Sequence, residues 1–243
     1  MPVAFDVSVV VNGGSSSVLT LATGTLTTAG PNELLIASIS MPKTTSPITS
    51  VTGGGLTWAR VRADNAGTTC RTEIWSAFAT AAFSAAVTFT WTAGSSKAAA
   101  IVSAYSGTDT SGTSGSGAIG ATSTSTASSA SATAAITTTR DGSLVIAAEG
   151  HQTLANITAP TGQNEDFTKS SGGSAASNVT TYQMRQAFTT TASGTSVTMG
   201  GTSDLSASVA WVMDAIEILA YVTPSTLPVP VNINQSVMRA SLY

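Results

Sequence analysis

The feature that most constrains this chain is that it repeats itself once. Leu34-Leu35-Ile36-Ala37 returns as Leu144-Val145-Ile146-Ala147, an offset of 110 residues. The same offset carries Ile74 onto Met184, Ala77-Phe78 onto Ala187-Phe188, Val87-Thr88-Phe89 onto Val197-Thr198-Met199, and Ile101-Val102 onto Trp211-Val212. Pro31-Asn32 falls opposite Asp141-Gly142, so turn residues repeat with the apolar runs. One spacing shared by several separated segments points to a duplicated structural unit. Phe78 and Phe188 are then expected at matching core positions. The Ser/Thr/Gly/Ala-rich span from Ser106 to Ser131 is expected to hold the first strands of the second unit, since Ala118-Ile119 falls opposite Ser8-Val9, with a flexible linker the alternative.

The repeated segments read as strands. Val87-Thr88-Phe89-Thr90-Trp91-Thr92 alternates apolar residues with threonine, which gives one dry and one wet face. Leu34-Leu35-Ile36-Ala37 is apolar on both faces and is expected to lie between two layers. Thr72–Phe78 is a further strand candidate. Over 209–220, Ala210, Val212, Asp214, Ile216 and Ile218 fit one face of a strand. Gly53-Gly54-Gly55, Pro31-Asn32, Asp64-Asn65 and Asp141-Gly142 supply turn chemistry. The expected fold is all-β: two antiparallel β-sandwich or jelly-roll-like units over 1–110 and 111–221, with an extended C-terminal arm over 222–243. The alternative is a single pseudo-symmetric jelly roll over 1–221.

Composition narrows the function. Hydrophobic residues make up 42% of the 243, enough for a core, while charged residues make up only 9%, against about 25% in an average domain. The net charge is −3 with no Lys/Arg cluster, and a phosphate backbone is bound through several cations. Nucleic acid is therefore not an expected partner. Cys70 is the one cysteine and has no internal disulfide partner. The opening MPVAFDVSVVVNGG lacks the basic region and apolar core of a secretion signal. No apolar run reaches about 18 residues, so no membrane insertion is expected. A surface-like composition without an export signal fits a virion protein, made in the host cytoplasm and released by lysis. Signal-independent secretion is the alternative.

No catalytic or cofactor motif emerges. His151 is the single histidine, two residues from Glu149 on a strand's face. It reads as a polar strand end rather than a triad base, since no activated serine is identifiable beside it. Asp64-Asn65 and Glu165-Asp166 read as solvated turns, with a surface calcium site the lesser reading. Gly53-Gly54-Gly55 lacks the lysine and serine of a phosphate loop. The chain reads as no enzyme, with no cofactor and no metal. Trp58, Trp75, Trp91 and Trp211 fall within expected strands, and Trp91 shares an apolar face with Val87 and Phe89. Trp58 and Trp75 are the candidate sugar-stacking platforms. Asn156, Asn178 and Asn234 match the Asn-x-Ser/Thr acceptor pattern.

The stretches NELLIASIS, ITSVTGGGLTWARVRADNAGTTCRTEIWSAFA and AVTFTWTAGSSKAAAIVSAYSG, with DGSLVIAAEGHQ and ITAPTG in the second half, resemble β-sandwich proteins of tailed-phage structural modules and of some bacterial surface proteins. The likeness spans most of residues 1–220. It implies a head-decoration or tail-surface role on a virion, through contacts with other copies of the chain and with the major capsid or tail protein. It implies no catalytic residue. The alternative function is a carbohydrate-binding or adhesin module that takes surface glycans.

The C-terminal arm stands outside the resemblance. Pro224, Pro228 and Pro230 favour extended backbone. Val229, Val231, Ile233, Val237, Met238 and Leu242 give it apolar side chains that want a partner's surface.

Overall fold

Apolar runs that lack polar alternation must be covered on both sides, and the chain achieves this by stacking sheets. The computed structural model describes residues 2–13, 18–42, 47–92, 97–152, 157–172, 178–190, 192–202 and 204–223. The first half contributes β1 (Ala4–Asn12), β2 (Thr20–Ala22), β3 (Leu26–Thr27), β4 (Glu33–Pro42), β5 (Ser50–Thr52), β6 (Ala59–Ala66), β7 (Cys70–Ala79), β8 (Ser84–Ala85), β9 (Thr88–Thr90) and β10 (Ala99–Ser106). A 3₁₀ turn over Ser116–Ala118 leads into the second half. That half contributes β11 (Ile119–Ser129), β12 (Thr133–Thr137), β13 (Leu144–Gln152), β14 (Gln163–Ser170), β15 (Val179–Gln186), β16 (Ser196–Gly200) and β17 (Val209–Ile218). The protein is all-β and antiparallel throughout, in two similar units.

Each half builds one five-stranded sheet, ordered β1-β10-β4-β7-β6 in the first and β11-β17-β13-β15-β14 in the second. The order is the same and neither sheet borrows a strand from the other half. Smaller sheets cap the outer faces: β2-β9-β5 and β3-β8 in the first half, β12-β16 in the second. Ile157-Thr158-Ala159-Pro160 repeats Ile48-Thr49-Ser50-Val51, but Pro160 cannot donate to a ladder. Where β5 pairs with β9, the described residues of the second half show an isolated Ile157–Leu205 bridge.

The large sheets lie back to back, so the body has four layers, three large cores and a small fourth cluster of Ala66, Cys70, Val179 and Val212 between the halves. One core fills the first sandwich around Leu35, Trp75, Phe89 and Trp91. A second fills the other sandwich around Tyr182, Met184, Met199 and Trp211. The third lies between the halves and joins Leu34, Ile36, Ile74 and Tyr105 to Leu144, Ile146, Ile216 and Ile218. Leu34–Met41 and Leu144–His151 are buried at every position because each of these central strands has a core on both faces. The chain after β10 then pairs with the chain after β17. Asp109 N donates to Leu219 O at 2.9 Å and Tyr221 N to Gly107 O at 2.9 Å, around a Thr108–Ala220 bridge.

Ladder partners fix the true repeat register. Leu34 pairs with Tyr105 and Leu144 with Ile218, while Tyr105 pairs with Phe5 and Ile218 with Ile119. So Ile119 is equivalent to Phe5 rather than to the expected Val9, and Tyr105 matches Ile218. Likewise Trp75, not Ile74, matches Met184. The constant offset of 110 holds at the central strands and slips elsewhere, because the intervening loops differ in length. The expected core equivalence of Phe78 and Phe188 is corrected: Phe78 is half-buried in β7, whereas Phe188 follows β15 and is 84% exposed. Turn chemistry does match, for Asn32 and Gly142 both take positive φ, 60° and 73°. Residues 224–243, including Val229, Val231, Ile233, Val237, Met238 and Leu242, lie outside the described residues.

Candidate functional site: the polar seam between the sheets

Both halves kink their edges at the same place. β1 is bulged between Phe5 and Ser8 and β11 between Ile119 and Thr122. β6 is bulged between Arg60 and Arg62 and β14 between Glu165 and Phe167. A bulge re-aims the extra residue. In β6 that residue is Val61, which packs into the central core. In β14 it is Asp166, whose carboxylate is buried between the sheets.

Asp166 organises one end of the seam. Tyr105 donates to its Oδ2 at 2.6 Å, and Arg185 pairs with its Oδ1. Gln183 Nε2 lies 3.1 Å from Asp166 Oδ2, 2.9 Å from Tyr105 Oη and 2.7 Å from Ser103 Oγ. Ser38 closes the network by donating to Gln183 Oε1 at 3.0 Å. Burial pushes the Tyr105 phenol well above its ordinary pKa, against the pull of Arg185. The Arg185 guanidinium also sits over Phe5, 4.2 Å from the ring centre.

The other end is built differently. Arg62 Nε lies 2.8 Å from Asp64 Oδ2 and 3.3 Å from Asp214 Oδ1, while Nη1 donates to Thr122 at 3.1 Å. Asp214 Oδ2 is buried with no donor. Burial, with the Asp64 carboxylate beside it, pushes the Asp214 pKa up to about 7 despite a hydrogen bond from Thr124 and the charge of Arg62. One guanidinium thus serves two carboxylates, and the surplus negative charge helps to hold the Asp214 pKa up.

Between these ends the sheets approach closely at Gly150. A Cβ there would lie 2.1 Å from Thr72 Oγ1 and 2.5 Å from Ser40 Oγ. Those two hydroxyls are 3.0 Å apart. The Cys70 thiol is buried here and donates to Gly150 O at 3.2 Å. Burial and the nearby Glu149 push its pKa far up, so it is not a reactive thiolate.

The residues singled out in the sequence fall elsewhere. Trp58 and Trp75 are both only 8% exposed, in the core of the first sandwich. Trp75 Nε1 donates to Glu73 Oε2 at 3.1 Å. This corrects the expectation of sugar platforms, because stacking needs an open ring face. His151 is corrected as well. It does stand at the end of β13, but it is fully buried rather than opening into a loop, with Nδ1 at 3.0 Å from both oxygens of Glu149. The pair lies on the sandwich side of β13, with Tyr182 and Trp211 on the neighbouring strands. Burial raises the Glu149 pKa, His151 opposes that shift, and Asp204 adds to it. Neither group meets solvent, so the pair reads as an internal tie rather than a catalytic dyad. Asp64-Asn65 and Glu165-Asp166 are not turns but parts of β6 and β14. Asn178 is fully buried, which closes it as a glycan acceptor, while Asn156 and Asn234 lie outside the described residues. Among the described residues, no three His, Cys, Asp or Glu side chains are grouped to hold a metal ion.

Sequence reasoning missed Asp166, Gln183, Arg185 and Asp214. One signal was present: a charge inside an apolar run, as in Val209–Ile218, is costly in so charge-poor a chain and marks a buried pairing. Comparison with known proteins finds no matching family model, no similar curated sequence and no similar solved structure.

Proposed function

We propose that this chain is a structural protein of a tailed-phage particle, decorating or stabilising the capsid or tail surface through contacts with other copies of itself and with the major capsid or tail protein. The observation that carries the reading is where the polar chemistry is spent. Asp166, Gln183, Arg185, Arg62 and Asp214 hold one sheet to the other, and His151 and Glu149 hold each other. The result is a body tied from within, while the outward strand β11 is written in serine, threonine and alanine. Such a body suits a load-bearing surface better than a reaction centre.

The carbohydrate-binding alternative loses its two residues, since Trp58 and Trp75 are core. The arm over 222–243 remains the proposed partner-binding segment on sequence grounds. Immunogold microscopy of intact particles tests the assignment: antibody raised against residues 1–221 should decorate the particle surface. Labelling confined to the host cell surface would sink it. Deleting residues 223–243 should leave the melting temperature within about 2 °C of the full chain while weakening docking onto particles that lack the protein. Undiminished docking would remove the arm from the account.

A further inference from the structure

We propose that two copies of this chain join edge to edge through β11, antiparallel about a two-fold axis, so that the large sheets of two second halves become one continuous sheet. The proposal deepens the self-association part of the reading above, and it can fail while the particle assignment stands.

An open sheet edge presents unpaired N–H and C=O groups, and proteins usually block it with charges, bulges or cover. The two large sheets have four edges, and three are blocked. β6 carries Arg60, Arg62 and Asp64 and a bulge. β14 carries Glu165, Asp166 and Lys169 and a bulge. β1 carries Asp6, and its bulge leaves only Ser8–Asn12 regular. β1 is also stitched across to β14: Asn12 Nδ2 donates to Ser170 O at 2.8 Å and Ser8 Oγ to Asp166 O at 3.5 Å. Of its residues only Ala4 is exposed.

β11 is less protected: Arg62 of β6 reaches its start and donates to Thr122, but beyond that residue the strand has no charge and no bulge. After the bulge near Ile119 it runs regularly beside β17 from Thr122 to Ser129. It contains no charged residue and no proline. Thr122, Thr124, Thr126, Ala127 and Ser128 are exposed. Among the described residues its backbone ladder is with β17 alone. The eight-residue stretch spans about 27 Å at 3.4 Å per residue, enough for a full antiparallel pairing.

The chemistry of this edge selects a second β11 as its occupant. A charged peptide would find no counter-charge among the residues of β11, and Arg62 beside Thr122 is already paired with Asp64 and Asp214. A second copy brings no like charges into opposition and sets hydroxyl side chains across from hydroxyl side chains, a favourable cross-strand pairing. The flank is equally permissive. The groove beside the end of β11 is lined by Ala66, Gly67, Thr69, Ser128 and Ala210, all small and neutral, so a neighbouring copy meets no bulky or charged obstacle there.

The test uses the full chain. Sedimentation velocity across a hundredfold concentration range should show a monomer–dimer equilibrium. Hydrogen exchange at the two extremes should show the outward amides of Thr122–Ser129 slowed at least tenfold in the concentrated sample, with β6 and β14 unchanged. The double variant Thr126→Lys/Ser128→Lys places like charges across the two-fold and should remain monomeric at a tenfold higher concentration with an unchanged melting temperature. Exchange in β11 that is independent of concentration overturns the proposal, as does a dimer that persists undiminished in a folded lysine variant. If that variant fails to fold, exchange on the unmodified chain decides. Particle labelling reports separately, so a negative result here leaves the virion assignment to its own experiment.

Discussion

At the scale of single residues, the seam shows how a buried acid chooses its charge. Asp214 meets one arginine that Asp64 already occupies, and its pKa rises to about 7. Glu33 is raised to about 7 as well, by burial and by the Asp6 carboxylate beside it. Both carboxyls hold a proton in the folded protein that the unfolded chain releases near its ordinary carboxylate pKa. Their contribution is therefore fully present below about pH 4 and is lost as pH rises through about 7. Asp214→Asn should flatten this fall and raise the melting temperature at pH 8 by several degrees, about 2–4 °C per kcal/mol relieved. An unchanged pH profile would show that Asp214 is ionised in the fold. A second acid shows how the two halves solve one problem differently. In the first half Asp6 accepts from Ala29 N at 2.7 Å and so caps the turn before β4. In the second half the matching strand carries Gly120, and a Cβ there would lie 2.3 Å from Glu217 Oε2. Glu217 fills that space from β17 and accepts from Ala121 N, Thr139 N and Arg140 N. Burial pushes its pKa up, but hydrogen bonds from Ser143, Ala121 and Thr139 outweigh that and hold it low. Glu217→Ala should cost about 1–3 kcal/mol in urea unfolding. Adding Gly120→Asp, which rebuilds the first half's arrangement, should recover part of it. No recovery would mean that the two caps are not equivalent.

At the scale of elements, the strands were readable and their exact partners were not. Leu34-Leu35-Ile36-Ala37 announced a strand buried on both faces because nothing in it tolerates water, and β4 is such a strand. Phe188 misled because an apolar residue at the expected spacing looks like core, yet the loops between strands differ in length and carry it past the end of β15. The bulges were invisible for a related reason: an extra residue in an edge strand changes no composition, only the count opposite its partner. Asp166 was thus read as a turn residue when its bulge aims it inward. The tight approach of the two sheets at Thr72 and Ser40 was equally hidden, since it depends on one glycine. Gly150→Ala drives a methyl group into Thr72 and Ser40 and should destabilise by about 1–3 kcal/mol. Thr72→Ala should relieve part of that cost, giving a coupling energy above about 0.5 kcal/mol in a double-mutant cycle. Additive effects would place the two residues out of contact.

At the scale of the whole molecule, a sheet with a core on each face has no stable state with one side stripped. Removing either half would bare Leu34, Ile36, Ile74 and Tyr105, or Leu144, Ile146, Ile216 and Ile218. The full chain should therefore unfold in urea as one transition, with coincident tryptophan fluorescence and circular dichroism. A stable, soluble fragment covering residues 1–110 would contradict this. The order of strands also bears on time. Among the described residues β1 pairs with β10 alone and β11 with β17 alone, so in each half the first strand made waits for the last. On a ribosome, Val7, Val9 and Val11 emerge long before Ala99–Ser106 exist to receive them. Closure of so distant a pair is slow, and the waiting valines are sticky. The chain is at its most vulnerable while it is still being synthesised, and its yield should depend on elongation speed and chaperone supply more steeply than the stability of the finished body suggests.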